Sequence, residues 1–474
     1  MGDFTLRTAD RRDATLSEDA VNDLAARLRG PLLTPQSPGY DEARTIWNAM
    51  IDRRPGLIAR CAGAADVMQA VRFARENGLL VSVRGGGHNI AGNSLCDGGL
   101  LIDLGALRFV HVDPISRTAR VAPGATLSDL DRETQAFGLA VPVGINSTTG
   151  IAGLTLGGGF GWLTRKYGLT VDNLLGADVV TADGKFLRAS ADENDDLFWA
   201  IRGGGGNFGV VTSFTFRLHP VGPMVFAGLV VHPFAGAGDL MRRYRDATAA
   251  LPDEATAWMV LRKAPPLPFL PPDVHGKEVV VMPVICAGDD EAAARKALEP
   301  VLSLGTPVGE HVGLMPYAAW QAAFDPLLVP GARNYWKSQN FTGLEDGLID
   351  LLVEEAARLP SDQCEIFVGL LGAAANRVPA DATAYPHRDA LFVMNVHARW
   401  NTPPEDSACI QWARGVSDRT ARYATGGVYV NFVTDDEQRV QAAYGPNYER
   451  LRALKAKYDP ANLFCVNQNI APGG

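Results

Sequence analysis

An α+β protein of two domains is the fold class this sequence predicts, on three observations. The chain has 474 residues, 47% hydrophobic and 20% charged, enough for two or three domains of roughly 100 to 200 residues with a core each. Apolar strand-like runs and amphipathic helical stretches follow one another along its whole length. Glycine, 50 residues in all, gathers in clusters that stop before Val221, where the character of the chain changes.

LIARC from Leu57 reads as a strand. ADVMQAVRFARENG reads as a helix, with Val67, Ala70, Val71 and Ala74 on one face and Gly78 as its stop, and LLVSVRGGGH as the next strand. LLIDL, FVHVD and TARVAPG are short strands. TLSDLDRETQAFG is a helix capped by Thr126 with Asp129 three residues on, and it closes at Gly138. ADVVTADGKFLRAS is a hairpin turning at Asp183-Gly184. The helix DDLFWAIRG then enters a glycine run, and the strand VVTSFTFRL leaves it to end at His219-Pro220. Beyond Val221, the strands VFAGLVV, EVVVMPVI, EIFVGLLG and ALFVMNVHARW alternate with helices such as DDEAAARKALEPVL and GLIDLLVEEAARL, a second domain. PPLPFLPP, from Pro265 to Pro272, is a loop, because proline cannot enter a central strand or a helix interior. The last fifty residues hold strand-like GGVYVNFV and a helix from near Tyr448.

Composition excludes several function classes. The balance of 44 basic and 53 acidic residues gives a net charge of -9, so no broad basic face serves a nucleic-acid backbone. Mean hydropathy of -0.01 leaves no surplus for membrane spans, and no membrane partner is expected. The first twenty residues lack the apolar core of a signal peptide, so a cytoplasmic location is expected. Six cysteines, Cys61, Cys96, Cys286, Cys364, Cys409 and Cys465, are scattered without a CxxC pair. They read as thiols, with neither disulfide framework nor metal site.

Chemistry resides in the glycine clusters. Consecutive glycines leaving a strand let backbone N–H groups converge on anionic oxygen without a basic side chain. RGGGHN from Arg84, GIAGLTLGGGFG from Gly150 and GGGGNFG from Gly203 supply three such turns. Any one of them could be an ordinary tight turn; three favour a large dinucleotide. Gly204, Gly206 and Gly209 match the spacing of a nicotinamide-dinucleotide fingerprint, but there a strand must precede and a helix follow, the reverse of the order here. A flavin dinucleotide held by several loops fits better. His88, closing the first turn, is free to reach a cofactor; on its residues alone it could also be a turn histidine bonded to backbone.

At RGGGHN, GIAGLTLGGGFGWLTRKYGLTVDNLLGADVVTADG, DDLFWAIRGGGGNFGVVTSF and YGPNYERLRALKAKYDPANLF, the sequence strongly resembles the berberine bridge enzyme-like FAD-linked oxidases of the vanillyl-alcohol oxidase superfamily. The resemblance implies a two-domain PCMH-type FAD-binding fold, with a substrate domain built on an antiparallel sheet covered by helices. Residues 1–220 would be the FAD-binding domain and 221–425 the substrate domain, with 426–474 returning to complete the flavin site.

The resemblance also implies roles. His88 would carry FAD covalently; the position where many relatives have a second, cysteinyl link is Asn146, so a singly linked flavin is expected. Arg84, Gly85, Gly86, Gly87 and Asn89 would contact it from the first turn. Thr148, Thr149, Gly150, Gly153, Gly157, Gly158 and Gly161 would do so from the second, Gly209 and Val211 from the third, and Asn431, of a Y-x-N motif, from the tail. Tyr429, two residues before Asn431 on a strand, would share its face and act as base toward an alcohol, phenol or amine, provided a nearby cation lowers its pKa of about 10. Lys337, in NYWKSQNF, and His387, in AYPHRD, are further polar candidates, each readable also as a strand-end charge or a loop histidine. The implied activity is an FAD oxidase that passes electrons from a small organic substrate to O2 and yields H2O2. A flavin-dependent oxidative cyclase or rearrangement catalyst and a binding module with a structural flavin stay open beside it. A homodimer is the default oligomeric expectation.

Overall fold

The computed structural model describes residues 3–434 and 440–473; residues 1, 2, 435–439 and 474, inside the expected first and last segments, lie outside the described residues. Two larger sheets carry the first half, beside the two-stranded pairing of Phe4–Arg7 with Asp13–Leu16. In the smaller, Leu57–Arg60 and Val81–Arg84 run parallel to Leu100–Asp103 between them, and Leu32–Leu33 pairs antiparallel at the edge. The helix Ala64–Glu76 makes the crossover that parallel pairing requires and buries Val67, Ala70, Val71 and Ala74. Gly78 follows it at φ +60°. The RGGGH turn leaves the carboxyl end of the parallel strand Val81–Arg84, where open α/β sheets hold their ligands.

The second sheet is antiparallel, in the order Phe186–Ser190, Leu174–Val180, Val210–Arg217, Thr118–Val121, Val110–Asp113. The hairpin turns at Asp183-Gly184 as read, with Gly184 at φ +74°. Helix Leu127–Gln135 begins with the reciprocal Thr126–Asp129 cap. Its core, around Phe214, Trp199 and Leu130, also takes in Tyr444, Leu451 and Ile470, so the tail is part of this layer.

A third sheet dominates the rest. Its antiparallel order is Gly309–Pro316, Met224–Pro233, Glu278–Cys286, Met259–Lys263, Glu365–Leu370, Phe392–Trp400, Arg333–Phe341, with the short strand Ala255–Ala257 also pairing Glu278–Cys286. Helices Ala237–Thr248, Glu291–Leu302, Asp346–Ala356 and Asp406–Thr420 pack in a row against it. Strands Arg333–Phe341 and Phe392–Trp400 are covered on both faces: helix Asp406–Thr420 lies on one and the glycine-rich half faces the other.

One local expectation needs correction. VYVNF is not a strand: Tyr429 leads into one 3-10 turn, Val430–Phe432. The strand Val210–Arg217 stops just before His219–Pro220, as expected, and that pair forms a two-residue strand of its own on Leu139–Ala140.

The tail is fixed by a buried charge pair. The ammonium of Lys455, on helix Tyr448–Tyr458, is fully buried and donates to Asp459 (2.7 Å) and to the carbonyls of Asn207 (2.8 Å) and Phe464 (3.0 Å). Asp459 in turn accepts the backbone N–H groups of Leu463 and Phe464. Every polar atom that burial strips of water is thereby answered, the condition under which a buried pair is tolerated. Asn207 belongs to the third glycine turn, so this pair welds the end of the chain to that turn.

Candidate active site

One cavity of about 340 Å³ runs between the glycine-rich half and the third sheet. Its first wall is backbone. Gly86 and Gly150 lie back to back: a Cβ on Gly86 would stand 2.4 Å from Gly150 Cα, and one on Gly150 would stand 2.5 Å from Gly86 N. The first and second turns can therefore meet only as glycines. Gly153 and Gly206 also line the cavity and have open space where a Cβ would be. The Nδ2 of Asn146, on the same wall, is buried without a partner. A ligand rich in hydrogen-bond acceptors that lies along three glycine turns satisfies all of these features, and a flavin dinucleotide is such a ligand.

Most of the expected cofactor residues line this wall: Gly85, Gly86, Gly87, His88, Asn89, Asn146, Thr149, Gly150, Gly153, Gly157, Gly209, Val211 and Asn431. Four do not, and their contacts explain why. The Arg84 guanidinium turns back to the buried carboxylate of Asp103 (2.7 and 3.1 Å) and the Ala43 carbonyl, bracing the turn from behind. Gly158 makes room for the Tyr385 ring, and Gly161 for the Val143 carbonyl. Thr148 donates its hydroxyl to Asn146 Oδ1 (2.7 Å), and its oxygen stands 3.4 Å from His88 Nε2.

His88 stacks on Trp47, with ring centroids 4.4 Å apart. Desolvation, and then the nearby Arg399 and His397, push the imidazole down to about 3, so the ring is neutral at physiological pH.

Tyr429 and Asn431 do come together, although not by strand alternation. The phenol oxygen accepts hydrogen bonds from the Gly159 N–H (3.1 Å) and Asn431 Nδ2 (2.9 Å), and Asn431 also donates to the Leu154 carbonyl. Burial pushes the phenol up, and those two donors pull it only partly back, leaving it at about 12. At neutral pH Tyr429 is thus a hydrogen-bond donor. The expected cation does not come from Lys337, whose ammonium sits over the Tyr335 ring, 5.4 Å from its centroid. Trp336 lines the cavity, so its strand neighbour Lys337 projects from the opposite face, where Tyr335 and Gln339 meet helix Asp406–Thr420. His387 also lies outside the cavity: its Nε2 donates to the Ala443 carbonyl (3.0 Å), and its ring packs against Gly427.

The second wall consists of side chains that the sequence reading passed over. Trp336, Phe367, Phe432, Trp258 and Phe160 form an edge-to-face aromatic surface, with Glu365, Asn395 and His397 set into it. Asn395 and His397 alternate along Phe392–Trp400, and Glu365 pairs with His397 from the adjacent strand. Glu365 Oε2 accepts from Arg262 (2.7 Å) and Oε1 faces His397 Nδ1 (3.2 Å). Burial raises the carboxyl, but the Arg262 charge and the His397 hydrogen bond outweigh it and hold the acid at about 2. Trp336 Nε1 and Asn395 Oδ1 are buried without partners on this wall. A signal was present: polar residues at every second position, Asn395, His397 and Arg399, in a strand otherwise apolar and buried on both faces.

Comparison with known proteins gives this geometry its context. The family described as "FAD binding domain" matches residues 55–190, and that described as "Berberine and berberine like" matches residues 428–471. Over 467 residues the chain is 33% identical to (R)-6-hydroxynicotine oxidase of Paenarthrobacter nicotinovorans, covering 94% of this chain and 98% of that one. It is 29% identical to chitooligosaccharide oxidase of Gibberella zeae, covering 96% and 95%. The crystal structure of 6-hydroxy-D-nicotine oxidase from Arthrobacter nicotinovorans superposes with a TM-score of 0.84 at 30% identity, covering 94% of this chain and 98% of that one.

Proposed function

Because the chain belongs to the berberine-like family of FAD-linked oxidoreductases, we propose that it is an oxidase for small alcohol, phenol or amine substrates, with O2 as electron acceptor, H2O2 as product and FAD carried covalently on His88. FAD, when bound, supplies the acceptor for a hydride leaving a substrate carbon. The protein's own groups do the rest. Backbone N–H groups of the glycine turns bind the diphosphate, and Asn146 Nδ2 and Asn431 offer hydrogen bonds to the ring system. The aromatic wall excludes water from the reacting pair, and Tyr429 donates its proton to an acceptor on substrate or cofactor.

The observation that carries the covalent reading is the state of His88. Attachment requires a neutral imidazole with one nitrogen unprotonated. Thr148 has given its own proton to Asn146 Oδ1, so its oxygen stands as an acceptor toward His88 Nε2, and the neutral ring keeps a lone pair on one of its two nitrogens. Asn146 supplies no thiol, in keeping with a single link.

The test is direct. Protein precipitated in acid should remain yellow, and under argon one of (R)-6-hydroxynicotine, benzylamine, 4-hydroxybenzyl alcohol or chitobiose should bleach it, with peroxide released once air is admitted. The apolar aromatic wall favours the flat compounds over chitobiose. Colourless pellets would remove the covalent link, and bleaching without peroxide would remove oxygen as acceptor.

A further inference from the structure

We propose that Trp47 is the positioning residue for covalent attachment, its indole setting the plane in which the His88 imidazole meets the flavin; this rests on the reading above that His88 carries FAD. Forming the link exchanges one imidazole N–H and one C–H of a flavin methyl group for a C–N bond, and the two hydrogens leave with two electrons to O2, giving H2O2. The lone pair of an imidazole nitrogen lies in the plane of the ring, so the orientation of that plane decides whether it meets the methyl carbon. Polar contact does little to fix it. His88 Nε2 stands 3.4 Å from the Thr148 oxygen, at the long limit of a hydrogen bond.

The indole does more. It stacks on the imidazole with ring centroids 4.4 Å apart and 25° between the planes. It is itself held on several sides. The Trp47 backbone N–H donates to the carbonyl of Gly87 (3.0 Å), the residue before His88, so the indole is registered to the turn it serves. Its Nε1 donates to the Leu328 carbonyl (2.9 Å), and the Trp336 ring meets it edge-on with 5.8 Å between centroids. Arg399 lays its guanidinium over the same indole, 5.1 Å from the centroid. That guanidinium is immobilised in turn by the Val329 carbonyl (2.6 Å), Gln363 Oε1 (2.9 Å) and Asn334 Oδ1 (3.4 Å).

The neighbouring Asn48 anchors the turn on the far side of His88. Its Nδ2 donates to the carbonyls of Ile90 (2.9 Å) and Asn334 (3.0 Å), and its Oδ1 accepts the Asn334 N–H (3.0 Å). Gly87 and Ile90 bracket His88, and two consecutive residues tie both of them to the third-sheet half of the molecule. The bonds to Gly87 and Ile90 come from the Trp47 backbone and from Asn48, so they survive replacement of the indole and the turn keeps its shape. What such a replacement removes is the face on which the imidazole rests. Binding and attachment are thereby separable: the glycine turns that receive the diphosphate do not depend on the indole, whereas the plane of His88 does.

Full-length chain from riboflavin-starved cells, mixed with FAD in air, tests this without any substrate. Binding is read from the quenching of free flavin fluorescence, and attachment from the flavin that stays with acid-precipitated protein as time passes. W47A should bind FAD with half-saturation within about threefold of the wild type, yet form the acid-stable link at least about tenfold more slowly. W47L, which fills the space with apolar bulk but offers no flat face, should link as slowly as W47A. W47F, which restores an aromatic face without the Nε1 donor, should recover most of the rate. A W47A protein that links at wild-type speed, or a W47L protein that links as fast as W47F, overturns the proposal, because the stack then does not set the rate. Loss of FAD binding by all three variants also overturns it, making Trp47 part of the scaffold. In each of these cases the wild type still links, and the covalent reading stands. A colourless acid pellet from the wild type removes the link itself and the role of Trp47 with it, an outcome read from that sample alone.

Discussion

The two walls of the cavity are made by opposite means. On one side backbone does the binding: Gly86 and Gly150 touch where any side chain would collide, and the turns present N–H groups. On the other side three strands, far apart in sequence, deliver side chains, Trp336, Glu365, Phe367, Asn395 and His397, into a surface buried from both directions. A backbone wall constrains which residues can exist there at all and so can hold a constant cofactor. A side-chain wall can change its chemistry without disturbing the sheet, and it is where relatives named for 6-hydroxynicotine and for chitooligosaccharides have room to differ.

Substitutions on the two sides should therefore have different consequences. The largest effect is expected from His88→Ala, which should abolish acid-stable flavin outright; a yellow pellet from this variant would mean the link lies elsewhere. Lys455→Met leaves the Asp459 carboxylate buried and unpaired beneath the third turn and should cost about 3–5 kcal/mol, read as a loss of Tm and of bound flavin together. Gly86→Ala forces backbone against backbone and should cost about 1–3 kcal/mol with loss of flavin. Phe367→Ala, on the side-chain wall, should keep its flavin and change only which compounds bleach it. Tyr429→Phe should slow flavin reduction by about tenfold, the scale of one lost hydrogen bond, while leaving its pH dependence in place.

An effect that depends on pH lies at the seam between the two halves. Asp131 is buried, with Gln321 Nε2 at 3.1 Å as the partner of one oxygen and none at the other. Desolvation raises it from 3.8 to about 7. A folded value above the unfolded one means that its contribution to stability is complete below about pH 4 and is lost as pH rises toward 7. Asp131→Asn should flatten that decline, giving a Tm above wild type at pH 8 and no gain at pH 4.

The same contrast decides what could be read from the sequence. The turns, the Thr126–Asp129 cap, the Asp183-Gly184 hairpin and the crossover helix were legible because each requires particular residues at fixed spacing. Lys337 was misplaced by one position: Arg333–Phe341 is buried along nearly its whole length, so its pattern shows a strand but not which face meets the cavity, and Trp336 has that face instead. Tyr429 and Asn431 were paired correctly for the wrong reason, since VYVNF has the alternation of a strand but folds as a 3-10 turn whose side chains converge on Leu154 and Gly159. Glu365 and His397 were missed because their partnership exists only across neighbouring strands, 32 positions apart in the chain.

The seat of Lys455 also bears on the order of biosynthesis. Until that ammonium reaches the carbonyl of Asn207, the third turn lacks its brace, and Tyr429 and Asn431 arrive only shortly before it as the ribosome advances. A nascent polypeptide halted upstream of residue 455 would own nearly every flavin-facing glycine yet present an unfinished receptacle. Loading with the vitamin-derived group should therefore be post-translational, and prematurely terminated copies should be colourless.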